Sequence, residues 1–159
     1  MRIHDSLITD NGLARDHNED AIGQAREIGL YVLADGMGGA QAGEVASKTM
    51  VTEVLDYVDA AVKSAPATKR LTDAQALHLL TESFQKANYA IYEMSQKDRN
   101  KRGMGTTALA LWLRNRKAYM AHVGDSRIYL LRDKKLHQIT EDHTRVNEMV
   151  KLGVITKDQ

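Results

Sequence analysis

The sequence predicts an α+β fold in which helices are laid on antiparallel sheet. Three observations carry this expectation. Short strand patterns come first, two long helical patterns follow, and a run of further strand patterns closes the chain. The apolar period switches from three or four residues to two near Thr107. The later strands are joined by connections as short as Arg114-Asn115-Arg116, which can only join antiparallel neighbours.

The elements follow in order. Ser6 to Thr9 is a short strand candidate, Asp10 to Asp20 is polar with Gly12 as a turn former, and Ala21 to Gln24 is a second strand candidate. Leu30 to Ala34 is an apolar run with aromatic and β-branched members and reads as a buried strand. A helix is expected from Ala40 to about Ser64, with Ala46, Met50, Val54, Tyr57 and Ala61 on one face. Ala65-Pro66-Ala67-Thr68, which contains the single proline, breaks it. The second helix opens on a capping box, Thr72 with Gln75, and its stripe is Leu77, Leu80, Phe84, Ala87, Ile91 and Met94. Lys97 to Arg102 reads as a solvated basic loop. From Thr107 to Leu113 the alternation suits a strand buried on both faces. Lys117 to Val123 is its return strand, Ser126 to Leu131 and Leu136 to Ile139 are further strands, and Val146 to Leu152 is helical up to Gly153.

Composition sets bounds. The 159 residues suit a single domain, 1–159, with a real core. The formal net charge of +1 gives no electrostatic signal for a nucleic-acid or membrane partner, and no apolar run is long enough to cross a bilayer as a helix. The absence of cysteine removes disulfides and thiolate metal sites and fits a cytoplasmic protein.

The chemistry concentrates in four polar clusters at strand ends: Asp10 to Asp20, Asp35-Gly36, Gly103 to Thr107, and His122 to Arg127. Asp35 ends the buried strand and is followed by Gly36, Gly38 and Gly39. A carboxylate delivered into a glycine-lined turn suits a hard ion, and the Gly36 carbonyl can itself be a ligand. Oxygen-only ligation favours Mg²⁺ or Mn²⁺ over zinc. Taken singly, each carboxylate also fits an ordinary Asx or Asp-Gly turn. Rival motifs fail on chemistry. Gly38 to Val45 has the spacing of a nucleotide-binding loop, but Glu44 stands where lysine is required and Val45 where a hydroxyl is required. No His-x-x-x-His pair and no Gly-x-Ser-x-Gly elbow is present.

Taken together and in order, the segments Thr9-Asp10-x-Gly12-x-x-Arg15-x-x-Asn18-Glu19-Asp20, Asp35-Gly36-Met37-Gly38-Gly39, Gly105-Thr106-Thr107, His122-Val123-Gly124-Asp125-Ser126-Arg127 and Thr140-Glu141-Asp142-His143 resemble the metal-dependent serine/threonine protein phosphatases of the 2C type (PPM family), in their bacterial form. The resemblance implies two packed antiparallel sheets with helices outside, a four-layer α-β-β-α sandwich. It implies two Mn²⁺ or Mg²⁺ ions bridged by Asp35, with the Gly36 carbonyl on one of them. Glu19 and Asp20 would hold metal-bound waters or touch a metal, Arg15 would grip the substrate phosphate, and Asp125 would support a third, weaker ion. The catalytic set implied is Asp35, Arg15 and Asp20. Partners would be proteins phosphorylated on serine or threonine, substrates of a cognate kinase.

Two departures qualify the resemblance. Met37 stands where animal members carry a histidine proposed as general acid. The chain also stops in the region resembling the family's flap, before two late metal-binding aspartates. The expectation is therefore the N-terminal two-thirds of such a domain, with the isolated 159 residues weak or inactive and prone to associate through open sheet edges. The alternative reading is a non-catalytic regulatory or binding module whose metal site is incomplete.

Overall fold

The computed structural model describes residues 2–38, 42–66, 71–154 and 156. Strands β1 (Asp20–Ala25), β2 (Leu30–Met37), β4 (Ala108–Arg114) and β5 (Lys117–Val123) lie side by side in that order, all antiparallel, and the two-residue β3 (Gly105–Thr106) pairs with the end of β2. Helices α1 (Ala42–Ser64) and α2 (Asp73–Lys97) are inserted between β2 and β3. Helix α1 lies on β1 and β2, while α2 packs against α1 and reaches β5. A separate two-stranded sheet, β6 (Tyr129–Arg132) with β7 (Lys135–Gln138), and the short helix α3 (Arg145–Lys151) follow. Of the four-layer arrangement the resemblance implies, the described residues contain a five-stranded sheet with α1 and α2 on one side and a separate β6–β7 pair.

The core lies between the sheet and α1. In β2, Leu30, Val32, Ala34 and Gly36 are buried while Leu33, Asp35 and Met37 are exposed, the period-two pattern of a strand with one covered face. Met50, Val54 and Val58 of α1 answer them at helical spacing. Trp112 of β4 is 1% exposed, and its indole N–H donates to the Ile28 carbonyl at 2.9 Å, so the largest core side chain leaves no polar atom unpaired. The Tyr119 hydroxyl donates to Asp73 at 2.7 Å and ties β5 to the start of α2. Gly23 of β1 lets α1 lie close: a Cβ there would be 2.7 Å from a Val51 methyl and 2.8 Å from a Leu55 methyl. Both later hairpins turn through two residues of positive φ, Asn115 with Arg116 and Asp133 with Lys134, whose twist matches that of the flanking strands.

The structure corrects the expected elements in four places. Ser6 to Thr9 is not a strand: no strand among the described residues pairs with it, and Ile8 is 88% exposed. The third late strand begins at Tyr129 rather than Ser126, because the residues before it form the turn that closes on residues 140–143. The buried face of α2 is rotated from the apolar stripe. Leu77 and Met94 are exposed, and Ala76, Ser83 and Ser95 are buried instead. Small side chains let α2 approach α1 closely, and the two serine hydroxyls are satisfied within the helix, Ser83 by the Leu80 carbonyl at 2.8 Å and Ser95 by the Tyr92 carbonyl at 2.7 Å. The polar stretch before β4 contributes a short pairing of its own, β3. The capping box is present in full, with Gln75 N–H on the Thr72 hydroxyl and Thr72 N–H on the Gln75 side chain. The expected helix start at Ala40, Gly39 of the glycine-rich turn, and Ala67 and Thr68 of the break lie outside the described residues.

Candidate active site

The site sits where β1 begins and β2 ends. Asp20 and Asp35 are direct cross-strand partners, so both carboxylates stand on the sheet face opposite α1. A cleft of about 230 Å³ there is lined by Asp10, Asn11, Arg15, His17, Asn18, Glu19, Asp20 and Asp35. Its wall is a loop stitched by its own side chains. Asn18 donates to the Thr9 hydroxyl at 2.8 Å and accepts the Asp20 N–H at 2.9 Å, Asp10 accepts the Gly12 N–H at 2.7 Å, and Asn11 donates to the Arg15 carbonyl at 2.8 Å.

The electrostatics identify which groups face one another. Partial burial raises the Asp35 carboxyl above its ordinary value, the charge of Asp20 and a hydrogen bond with it add to this, and Asp125 contributes as well. Arg15 alone acts in the opposite direction. Asp20, Asp35 and Asp125 thus lie within interaction range, with one guanidinium opposite them. Glu19 is turned elsewhere in the same cleft, 3.9 Å from Arg15 and 3.4 Å from His17. It sits against the first turn of α1, where a Cβ on Gly43 would be 2.8 Å from its carboxylate oxygen. The positive end of a helix dipole suits a carboxylate at that point. The ion pair of Arg15 is with Glu19.

Gly36 is fixed by contact on both sides. A Cβ there would lie 2.1 Å from the Gly43 carbonyl oxygen and 2.6 Å from the Glu19 carbonyl oxygen, so α1, β2 and the β1 entry meet with no room for a side chain. The Glu19 carbonyl accepts from Gly36 N–H at 3.1 Å and from the buried Ser47 hydroxyl at 2.5 Å. Met37 is 65% exposed beyond the carboxylates and has no transferable proton.

The residues present suit a hard divalent cation in one respect: two facing carboxylates repel each other, and one arginine offsets them only in part. Among the described residues, no three His, Asp or Glu side chains already converge as a metal cluster. A wider groove of about 480 Å³ lies along Glu53, Glu82, Gln85, Lys86 and Tyr89, but its polar groups are largely paired, with the Tyr57 hydroxyl on Glu82 and Lys86 over the Tyr57 ring.

Comparison with known proteins settles the family. The family model for protein phosphatase 2C matches residues 4–149. The chain belongs to the protein phosphatase 2C family. A protein of Streptococcus pyogenes named as a putative protein phosphatase 2C-type is 40% identical over 158 residues, covering 97% of this chain and 61% of that protein. The serine/threonine phosphatase Stp1 of Staphylococcus aureus has a similar structure, with a TM-score of 0.78 and 36% identity, covering 95% of this chain and 58% of that one. The serine/threonine phosphatase PstP/Ppp of Mycobacterium tuberculosis superposes with a TM-score of 0.75 at 37% identity, over 94% of this chain and 58% of that one. The chain therefore spans about 61% of the length of the curated relatives it matches.

Several residues at the site carried no role in the sequence reading. Thr106 and Thr107 grip the Asp35 peptide, Ser126 bonds Thr107, and Ser47 anchors the Glu19 carbonyl. The two threonines belong to the Gly105-Thr106-Thr107 segment, so the sequence carries a signal for them. Ser47 looked like any polar residue on a helix. Arg127 makes a bidentate pair with Asp142, at 2.8 and 2.5 Å, holding the β6 entry to the residues before α3.

Proposed function

We propose that this chain forms one structural unit of a metal-dependent phosphatase acting on phosphoserine and phosphothreonine in proteins. The observation that carries the proposal is the facing pair Asp20 and Asp35 at the sheet end, with Arg15 across the cleft, in a chain of this family. Asp35 and Asp20 would hold Mn²⁺ or Mg²⁺, with Glu19, the Gly36 carbonyl and Asp125 as the further donors for two ions and a weaker third. A crystal structure of the PstP catalytic domain that this chain resembles is described as holding two manganese ions. When bound, such a pair supplies hydroxide near neutral pH and neutralises phosphoryl charge.

The chain's own groups do the rest. Arg15 is exposed and offers a planar fork of donors to two phosphate oxygens. Its weak ion pair with Glu19 costs little to exchange for a dianion. Asp20 and Asp35 set where the attacked phosphorus must sit, on the open face of the sheet. Met37 cannot donate the leaving alcohol's proton, so that proton has another source. The substrates would be proteins phosphorylated by a cognate kinase in the cytoplasm. No helix among the described residues is long and apolar enough to cross a membrane.

One observation favours the second reading, a non-catalytic binding module: no three acidic or histidine side chains converge among the described residues. The deciding experiment is manganese-dependent hydrolysis of a phosphothreonine peptide, by this chain alone and with the remaining length of its relatives supplied in trans. The phosphatase reading expects turnover in the complemented sample that Asp35→Asn abolishes and Arg15→Ala weakens. Phosphopeptide binding without turnover in either sample would favour the binding module.

A further inference from the structure

We infer that Thr107 and Ser126 form a hydroxyl pair that positions Asp35 and couples it to the loop bearing Asp125. The inference rests on the proposed reading only in calling these carboxylates a metal site.

The register places the parts in one row. Gly36 pairs with Thr106 and Leu33 with Leu109, so Thr107 stands directly opposite Asp35. Ala108 pairs with Val123, so Gly124 is the next partner in line. Asp20 completes the row on the other side of Asp35. A regular antiparallel pair at Asp35 and Thr107 would exchange two backbone hydrogen bonds. Only one is made: Thr107 N–H donates to the Asp35 carbonyl at 2.8 Å. The Asp35 N–H goes instead to the Thr107 hydroxyl, at 2.9 Å. The Thr106 hydroxyl lies between the Asp35 carbonyl at 3.0 Å and the Thr107 carbonyl at 2.9 Å. A side chain has thus replaced the main chain as acceptor at the residue before the glycine-lined turn. This explains why β3 and β4 are separate strands although their register is continuous.

The same hydroxyl reaches across the sheet. Thr107 Oγ1 and Ser126 Oγ are 2.8 Å apart. Gly124 has φ of +101°, and a Cβ there would lie 2.7 Å from Thr107 Cγ2, so the loop after β5 is folded onto this threonine. Beyond Ser126, Arg127 is clamped to Asp142, and the His143 N–H returns to the Gly124 carbonyl at 2.9 Å. One threonine therefore contacts the Asp35 peptide on one side and the Asp125 loop on the other. Hydrogen-bonded groups behind a ligand fix its orientation, and their loss commonly weakens metal binding 10- to 100-fold.

The test uses the whole chain in four forms: wild type, Thr107→Val, Thr107→Ser and Ser126→Ala. In metal-free protein, amide hydrogen exchange should accelerate at Asp35 and at residues 124–126 in Thr107→Val, and Thr107→Ser should restore it. Manganese affinity, read by titration, should fall about 10-fold or more in Thr107→Val and recover in Thr107→Ser. The Thr107→Val and Ser126→Ala effects should not add, since they break one link. Exchange at Asp35 and 124–126 unchanged by Thr107→Val would overturn the coupling even if manganese binds. Manganese affinity that falls equally in Thr107→Val and Thr107→Ser would also overturn it. Wild type that binds no manganese would sink the proposed metal site, while the exchange data would still decide whether the coupling exists.

Discussion

Gly36→Ala should unseat the first turn of α1 from the strand end that carries Asp35. The added methyl would lie 2.1 Å from the Gly43 carbonyl oxygen, whereas ordinary contact begins at 3.4 Å, so backbone must retreat by more than an ångström. Neither obstacle is the flexible end of a side chain: the second, the Glu19 carbonyl oxygen at 2.6 Å, is backbone too. Retreat strains the two hydrogen bonds that converge on Glu19, from Gly36 N–H at 3.1 Å and from the Ser47 hydroxyl at 2.5 Å. Overpacking costs about 1–3 kcal/mol and each net hydrogen bond about 1 kcal/mol. A loss of about 3 kcal/mol corresponds to a fall in Tm of roughly 6–12 °C for a chain of this size. The assay is thermal denaturation followed by far-ultraviolet circular dichroism. A Gly36→Ala variant that melts with wild type would refute the close approach of α1 to β2.

Two further outcomes follow from groups away from the cleft. Thr72→Ala removes the hydroxyl that accepts the Gln75 N–H, the side-chain half of the capping box, and should cost about 1 kcal/mol, a fall in Tm of roughly 2–4 °C, which thermal scans would register. Asp142 is held below its ordinary value of 3.8, first by its hydrogen bond with Arg127. A depressed carboxyl pKa means the pair's contribution is present above that ordinary value and is lost as pH falls through the lower, folded one. Amide protection around β6, β7 and α3, taken relative to the intrinsic exchange rate at each pH, should therefore fall as pH drops below 3.8 in wild type, and Asp142→Asn should show lowered protection already at pH 7.

What could be read from the sequence was what depends on local pattern. The Leu30–Ala34 run ends at Asp35, the strand continues through it to Met37, and the carboxylate stands on the open face as alternation requires. The Lys117–Val123 strand and the Thr72 capping box are set by neighbours a few residues away, and both are present as read. The α+β class and the layer of helices on one sheet face also follow from element order. What could not be read depends on partners distant in the chain. Thr107 acts on Asp35 because strand register brings together residues 72 positions apart. Ser6 to Thr9 has strand-like residues but, among the described residues, no strand to pair with. The α2 stripe holds the core residues Leu80, Ala87 and Ile91 but leaves out Ala76, Ser83 and Ser95, because close helix packing selects small residues and hydropathy does not rank serine as core. Asp20 and Asp35 became a pair only once the β1–β2 register was fixed.

The central claim is that the Asp20–Asp35 pair binds a divalent cation. The most direct measurement is the manganese-dependent shift in melting temperature of this chain, wild type against Asp35→Asn, with Mn²⁺ from zero to about a hundred times the dissociation constant. Binding to the folded state alone adds about 2.7 kcal/mol at that excess, a rise of roughly 5–11 °C for a chain of this length. Wild type should show that rise and Asp35→Asn should show none. An equal rise in both, or no rise in wild type at millimolar manganese, would contradict the claim.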